Sequence, residues 1–346
     1  MRILVTGANG FVGRALIQKL LNSNHEVLAL IRSNKNNLPE HPKLTVMQGD
    51  LLKASSLPEL QKIDKAYFLV HGLNSESSRF EYEETLAAVN FINWIRSTGA
   101  SIIYLGGLGP KDIELSPHLR SRHLTGAVFG ASGIPTIEFR ASIIMGEGST
   151  SFEMLKAISE RFPVRPEMKL LNKPCQPLGL EDLLSYLIVS MDLKFKGHLL
   201  FEIGGPDVVT YGELLDLYAE LTKLKRKKVK VPEVDNKVIL KILDYSIPEH
   251  SLVGKKLVES LEYPTVVTST EALEKFPEIR PLKLVEAMKV AIQASKTTYP
   301  PIWEKDFLKV ILSDKILTQS GLLSPEILKA MEKVTKLKNI ISKKDK

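Results

Sequence analysis

The first half of the chain alternates short apolar runs with longer amphipathic stretches. Six apolar runs have strand length and predict strands at Ile3–Thr6, Glu26–Ile31, Thr45–Gln48, Ala66–Val70, Ser101–Leu105 and Thr136–Phe139. Three stretches between them have helical spacing: Phe11–Leu21, Glu81–Ser97 and Leu119–Ala131. Apolar strands joined by helices are typical of a parallel sheet covered on both faces. The pattern therefore predicts an α/β fold with a doubly wound parallel sheet of the Rossmann type.

The strict alternation weakens after about residue 147. Helical spacing recurs at Phe152–Arg161, Leu180–Met191, Tyr211–Thr222, Asn236–Tyr245 and Leu282–Ser295, and short strands are predicted at Leu199–Ile203 and Lys228–Val231. We predict a Rossmann domain over 1–147 and a smaller mixed α/β lobe over 148–298, interleaved with the edge of the sheet. Residues 299–346 form a basic tail with two predicted helices at about 303–315 and 325–342.

Composition narrows the class of protein. The chain of 346 residues is 44% hydrophobic and 25% charged, as in an ordinary globular protein. We expect a cytoplasmic protein, because no signal peptide precedes the first strand and no run of about 20 apolar residues is present. The single cysteine, Cys175, excludes an internal disulfide and a cysteine-rich metal site. No bound metal is expected.

The net charge of +7 is concentrated in two places. One basic run spans Lys223–Lys230 and another spans Lys329–Lys346. Either run is a solvated surface or attracts phosphates or an anionic membrane surface. We expect no nucleic-acid partner, because no aromatic residues or known binding motif accompany the lysines.

A glycine-rich segment follows the first predicted strand and opens the first predicted helix. Gly7 permits a tight turn, Gly10 lets a pyrophosphate approach the backbone, and Gly13 allows close packing of the helix on the strand. The free N–H groups of the helix N-terminus favour phosphate. The predicted dinucleotide contacts in this segment are Gly7, Asn9, Gly10, Phe11, Val12 and Gly13.

The end of the second strand selects between NAD and NADP. An NAD site usually has an Asp or Glu there for the ribose hydroxyls, about 20 residues beyond the glycines. This chain has Arg32 and Ser33 instead, and no carboxylate before Glu40. We predict that Arg32, with Ser33 or Lys35, binds the extra phosphate of NADP(H), and NAD(H) remains possible. The alternative is an ordinary exposed arginine.

Two further loops are predicted to contact the cofactor. Asp50 and Leu51 follow the third strand and are expected beside the adenine. Val70, His71 and Gly72 end the fourth strand, at the carboxyl edge of the sheet where ligands bind. His71 either contacts the cofactor or fills space, and the sequence favours neither reading.

Taken together, these residues resemble the extended and atypical short-chain dehydrogenase/reductase superfamily, and in particular its NmrA-like and epimerase-like branch of NAD(P)-binding proteins. The resemblance covers about residues 1–295 and excludes the tail. Besides the glycine motif, Arg32 and Asp50-Leu51, it rests on Asn90, Ser132–Thr136, Arg140–Gly146, Gly204–Pro206 and Thr210-Tyr211.

The resemblance weakens at the catalytic positions. It implies a serine after the fifth strand and a Tyr-x-x-x-Lys pair on the next helix, in which tyrosine exchanges the proton. Here His118 stands at the tyrosine position and Arg122 at the lysine position, and residues 105–108 have no hydroxyl. Spacing of four places His118 and Arg122 on one helix face, whereas we expect Arg120 and His123 to point elsewhere.

Two functions remain open. The first is an NADPH-dependent oxidoreductase that acts on a small carbonyl, quinone or sugar-like substrate, with His118 as the proton donor. Arg122 cannot exchange a proton and would hold ribose or phosphate. The second is a catalytically silent NADP(H)-binding sensor, assembly factor or accessory subunit. In that case the basic tail would dock a protein partner or a membrane surface.

Overall fold

A computed structural model describes residues 1–33, 37–71, 79–110, 115–162, 164–230, 240 and 258–299. The strands in these ranges are β1 (Arg2–Thr6), β2 (Glu26–Ile31), β3 (Leu44–Gln48), β4 (Lys65–Phe68), β5 (Ser101–Gly107), β6 (Thr136–Ala141), β7 (Ile144–Met145), β8 (Val164–Glu167), β9 (Pro174–Cys175), β10 (Leu178–Gly179), β11 (His198–Ile203), β12 (Val209–Thr210) and β13 (Lys227–Lys230). The α-helices are α1 (Phe11–Asn22), α2 (Phe80–Ile95), α3 (Pro117–Ala131), α4 (Thr150–Arg161), α5 (Leu180–Val189), α6 (Tyr211–Leu221), α7 (Glu271–Lys275) and α8 (Leu284–Ala294).

Seven parallel strands form the main sheet in the order β11-β6-β5-β4-β1-β2-β3. The chain moves outward from β1 to β3 and then returns to β4 on the other side of β1. The resulting crevice at the carboxyl ends of β1 and β4 is where open α/β sheets bind ligands. The predicted doubly wound Rossmann fold is confirmed.

Helices cover both faces of the sheet, as its apolar strands require. On one face, α1 and α5 pack in one core cluster, to which they contribute Leu16 and Leu187. On the other face, Phe91 of α2 and Phe129 of α3 meet Phe68 of β4, with ring centroids 5.1 and 5.0 Å away. The two clusters hold the strands rigidly, so the loops at the carboxyl edge start from a fixed frame.

The lobe is joined to the sheet rather than appended to it. Strand β11 comes from the lobe, yet it pairs with β6 over six residue pairs from His198–Thr136 to Ile203–Ala141. The short pairs β7–β10, β9–β12 and β8–β13 complete the lobe. Of these short strands, only β13 was predicted, at Lys228–Val231. Strands β7, β9, β10 and β12 have two residues each, which is too few to show a periodicity, and β8 was missed although it has four.

The predicted element boundaries agree with the structure to within a few residues. Strand β5 extends beyond the predicted Leu105 to Gly107, because Gly106 and Gly107 pair in register with Arg140 and Ala141. The predicted helix Asn236–Tyr245 and both tail helices lie outside the described residues. Within the described part of the chain, no helix is both long and apolar enough to cross a membrane.

A buried carboxylate lies beneath α3 and pairs with two side chains of the sheet. Glu138 of β6 is fully buried and lies 2.6 Å from Nε of Arg140 and 2.9 Å from Nε2 of His198. A Cβ on Gly126 of α3 would come within 2.3 Å of the carboxylate, so only glycine fits above it. Burial alone would raise the pKa of Glu138, but the hydrogen bonds and charges of His198 and Arg140 hold it below its usual range.

We predict that Glu138→Gln lowers the free energy of unfolding by about 3 kcal/mol at neutral pH, because the Arg140 guanidinium loses its buried carboxylate partner. The matched control is Glu81→Gln, in the exposed Arg120–Glu81 pair, which should change it by less than about 1 kcal/mol. Urea unfolding measures both variants.

The effect of Glu138→Gln should depend on pH. The folded-state pKa of Glu138 is depressed, so its contribution is present above the unfolded-state pKa and is lost as pH falls through the folded-state pKa. The difference between wild type and variant should therefore narrow in acid. A difference that stays constant across this range would show that shape, and not charge, is responsible.

Candidate active site and dinucleotide cradle

The turn between β1 and α1 leaves no room for a side chain at Gly7. Its φ is +68°, in the left-handed region, and a Cβ there would lie 2.6 Å from the carbonyl oxygen of Leu69. The first turn and the end of β4 therefore touch through backbone alone. Glycine is required at this position on both conformational and steric grounds.

Gly13 allows α1 to approach this turn from the other side. A Cβ on Gly13 would lie 2.3 Å from the Gly7 carbonyl oxygen, and one on Gly10 would lie 3.0 Å from the same atom. The Gly10 N–H donates to that oxygen at 2.9 Å, which closes the turn. The three glycines together form a narrow cradle at the start of the helix.

The cradle ends at the positive end of α1. Gly10 is the N-cap, and within this described segment no side chain caps the helix and no acidic residue lies in its first turn. Backbone N–H groups of a first helical turn have no partner within the helix and favour anions. Asn9, Phe11 and Val12 are all half-buried beside this end of the helix. The residues present fit the pyrophosphate of a dinucleotide.

The segment after β2 is open to solvent. Arg32 and Ser33 are exposed directly beyond the buried end of β2, next to the crevice edge of the sheet. Lys35 lies outside the described residues. The described residues between Arg32 and Glu40 contain no carboxylate, so nothing there repels a phosphate. Contact of Arg32 and Ser33 with a cofactor stays a prediction.

The loop after β3 is held in place by α2. Asp50 accepts a hydrogen bond from the Leu52 N–H at 2.9 Å, and its own N–H donates to Ser56 Oγ at 2.8 Å. Asn90 of α2 donates to the Leu51 carbonyl oxygen at 2.6 Å. This explains Asn90, which the resemblance singled out without a role: it holds the loop predicted to contact the adenine.

Arg122 connects the carboxyl ends of two strands. Its Nη1 donates to the Val70 carbonyl oxygen at 3.1 Å, and its Nη2 donates to the carbonyl oxygen of Leu105. Its guanidinium carbon lies 5.0 Å from the ring centre of Tyr104, and the residue is 6% exposed. Arg122 thus occupies the expected lysine position, but two of its N–H groups donate to backbone carbonyl oxygens. Of its neighbours, His71 is exposed and Gly72 lies outside the described residues.

The end of β5, where the resemblance implies a serine, lies close to an apolar side chain of α3. A Cβ on Gly107, after the middle of β5, would lie 3.2 Å from Leu119 Cδ2. Tyr104 offers no substitute, because it is fully buried and donates its hydroxyl to the Arg122 carbonyl oxygen at 2.9 Å. Burial raises the pKa of Tyr104 far above its usual value. Tyr104 is therefore a core residue.

The histidines on α3 are placed differently from our expectation. His118 lies half-buried in the first turn of the helix, which Ser116 caps by accepting from the Leu119 N–H at 3.3 Å. His123, which we expected to point away, has Nε2 3.1 Å from the Gly107 carbonyl oxygen. That expectation was wrong, because His123 is one helical turn beyond Leu119 and shares its face.

The environment of His123 favours the neutral imidazole. Burial first, and then the positive charge of Arg140, lower the pKa of His123. A carbonyl oxygen only accepts, so Nε2 carries the proton and donates to Gly107. Nδ1 is then the acceptor nitrogen of the ring. In the sequence, His123 follows Leu119 by four residues, which places the two on one helix face but does not show what that face contacts. Arg120, by contrast, turns to Glu81 on α2, as expected.

Comparison with known proteins agrees with this geometry. Residues 3–108 match the NAD dependent epimerase/dehydratase family. The structure of the MoeE5 protein in complex with UDP-glucose and NAD has a TM-score of 0.63, with 17% identity, covering 85% of this chain and 98% of that one. The predicted resemblance is confirmed over residues 3–108, and the solved structure extends the likeness of the fold to most of the chain.

Two relatives of known name match most of the chain. A ceramide reductase of Caulobacter vibrioides is 23% identical over 245 residues, which cover 67% of this chain and 74% of the reductase. The mitochondrial NADH dehydrogenase [ubiquinone] 1 alpha subcomplex subunit 9 of Dictyostelium discoideum is 23% identical over 236 residues, covering 66% of this chain and 65% of that subunit. One relative is thus an enzyme and the other a subunit of a larger assembly.

We predict that Gly13→Ala lowers the free energy of unfolding by about 2 kcal/mol and weakens dinucleotide binding, because the new methyl group meets the Gly7 carbonyl oxygen. Gly109→Ala is the control, since its nearest neighbour would be Leu119 Cδ1 at an ordinary 3.4 Å. Thermal unfolding with and without NADPH measures both effects. Equal behaviour of the two variants would refute the close approach.

Proposed function

We propose that this chain is an NADP(H)-binding atypical short-chain dehydrogenase/reductase. The observation that carries the proposal is the glycine cradle at α1, where Gly7 and Gly13 bring backbone to backbone and leave helix N–H groups for a pyrophosphate. The match of residues 3–108 to an NAD-dependent family supports it, as does the NAD in the MoeE5 complex. Asp50, Leu51, Val70 and His71 complete the proposed cofactor contacts.

The preference for NADP(H) rests on Arg32. An exposed guanidinium at the end of β2 pairs with the 2′-phosphate through two charge-assisted hydrogen bonds, whereas a carboxylate would repel it. Ser33 adds a hydroxyl beside it. The absence of a carboxylate in the described residues between Arg32 and Glu40 removes the usual ligand of the NAD ribose.

We propose an oxidoreductase as the primary activity, on a small carbonyl, quinone or sugar-like substrate. When bound, the nicotinamide supplies or accepts the hydride. The chain must then handle one proton, and its candidates at this edge of the sheet are His118 and His123. Arg122 holds the ends of β4 and β5 together, which positions the loop that would face the nicotinamide.

A second candidate function is a binding protein that holds NADP(H) without turnover, such as a sensor, an assembly factor or an accessory subunit. The observation in its favour is the absence of the expected catalytic set: residues 105–108 have no hydroxyl, and Arg122, at the lysine position, is bonded to backbone carbonyls. The matching subunit of a respiratory assembly supports this alternative.

The cofactor assignment predicts that the protein binds NADPH more tightly than NADH. Arg32→Ala should weaken NADPH binding about tenfold or more and leave NADH binding nearly unchanged, because only NADPH loses a charged pair. Titration of the fluorescence of bound nucleotide measures all four affinities.

The matched control is Arg280→Ala, an exposed arginine before α8. This variant should bind both nucleotides as the wild type does. A preference of the wild type for NADH, or an unchanged affinity in Arg32→Ala, would refute the role of Arg32. Failure to bind either nucleotide would refute the proposed function as a whole.

The proton step is tested by His118→Ala and His123→Ala in an assay of NADPH oxidation with a quinone and with an activated aldehyde. If the chain is an enzyme, one of these variants should lose turnover about 100-fold while NADPH affinity is kept, because a positioned proton donor contributes about that much. The variant that loses turnover identifies the donor.

The control for this assay is His25→Ala, whose imidazole lies beyond α1 at the opposite end of the sheet from the β4 and β5 loops, next to the amino terminus. It should keep both binding and turnover. Tight NADPH binding with no turnover from any form, across both substrates, would favour the binding protein. Equal turnover from all forms would exclude both histidines.

A further inference from the structure

A polar cavity of about 640 Å³ lies beside the start of α1, against the lobe. Its wall is formed by Arg14 of α1, the turn 147–150, Glu153 and Arg161 of α4, and the segment 297–299. The lining consists of arginine, glutamate, threonine and tyrosine side chains with one glycine, and has no aliphatic side chain in the described part of the chain. Its size is that of an ordinary small-molecule site.

The outer wall of the cavity is fixed by polar contacts with α4. Lys156 is 5% exposed and donates to the Thr297 carbonyl oxygen. The Tyr299 N–H donates to Glu160 at 2.9 Å, and the Tyr299 hydroxyl donates to Glu153 at 3.0 Å. Such buried charge-assisted hydrogen bonds hold a segment in one position. The segment 297–299 is therefore held in place against α4.

Two guanidinium groups face this cavity from different elements. A Cβ on Gly148 would lie 3.7 Å from Arg14 Nη2, so the Arg14 side chain rests against the turn. The guanidinium carbon of Arg161 lies 5.1 Å from the ring centre of Tyr299. Stacking uses the face of a guanidinium, whereas an oxyanion pairs with its edge, so stacking on Tyr299 does not itself prevent Arg161 from pairing with an anion.

The hydroxyls complete the pattern of recognition. Thr150, Thr297 and Thr298 line the cavity and both donate and accept hydrogen bonds. Glu153 is engaged by Tyr299, while Glu147 is exposed at the rim and accepts only. Guanidinium groups select an anion, and threonine and carboxylate oxygens select hydroxyl groups.

We propose that this cavity binds the phosphate monoester of a small hydroxylated molecule, with Arg14 and Arg161 on the phosphate and the threonines on the hydroxyls. The site goes beyond the proposed cofactor function, and its lobe wall lies outside residues 3–108 that match the family. Because Arg14 follows the glycine cradle, a phosphate group of the cofactor is a second source of the anion at this site. The experiment must separate these two sources.

The test is calorimetric titration of the full chain with glucose 6-phosphate, with and without saturating NADPH. We expect saturable binding that persists in the presence of NADPH, and glucose without phosphate should bind at least tenfold more weakly. Arg161→Ala and Arg14→Ala should each weaken it about tenfold, and Arg280→Ala should not. Glu147→Gln should bind inorganic phosphate more tightly, because a repelling charge is removed.

Several results would overturn this assignment. Competition by NADPH would assign the phosphate contacts to the cofactor, and equal binding of glucose would exclude phosphate recognition. Arg161→Lys keeps the charge and should retain part of the affinity if the variant folds, which separates charge from folding. Loss of NADPH binding alone would refute the proposed cofactor function and leave this site standing, so the two failures are distinguishable.

Discussion

The close approach of backbone to backbone around Gly7 is the constraint on which the rest of the structure depends. The start of α1, the end of β1 and the end of β4 meet at one point, where the Gly7 carbonyl and the Leu69 carbonyl leave no space for a Cβ. This contact sets the height of α1 over the sheet. It also brings the positive end of the helix to the crevice between β1 and β4, where the strand order reverses.

A second set of contacts, centred on Arg122, holds the strand ends on the other side of the crevice. Arg122 satisfies the carbonyl groups of Val70 and Leu105, and Tyr104 returns a hydrogen bond to the Arg122 backbone. Such buried bonds are costly to leave unmade, so they hold the ends of β4 and β5 in fixed positions. The residue that forms these bonds, Arg122, stands where the resemblance implies the lysine of the Tyr-x-x-x-Lys pair. His118 and His123 are the two histidines that α3 places near this edge of the sheet.

The lobe contributes through ionic contacts as much as through apolar packing. Glu138, Arg140 and His198 tie β6 to β11, and Lys156, Glu153 and Glu160 tie α4 to the segment that ends at Tyr299. Glu138, Glu153 and Lys156 are buried, so the penalty for removing their partners is large. The chain can therefore hold a strongly polar cavity next to α1 without losing the order of its wall.

The sequence by itself determined the fold class, the boundaries of most elements and the glycine cradle. These features depend on periodicity and on steric limits that act within a few residues, and both are readable along the chain. The tertiary structure alone decided that His123 faces Gly107, that Leu119 lies close to Gly107 and that Arg122 bonds to backbone carbonyls. Each of these contacts joins α3 to strands more than ten positions away, where spacing along the chain carries no information about distance. The cavity beside α1 is the extreme case, since Arg14 of the first helix and Tyr299, from the other end of the described chain, line it together.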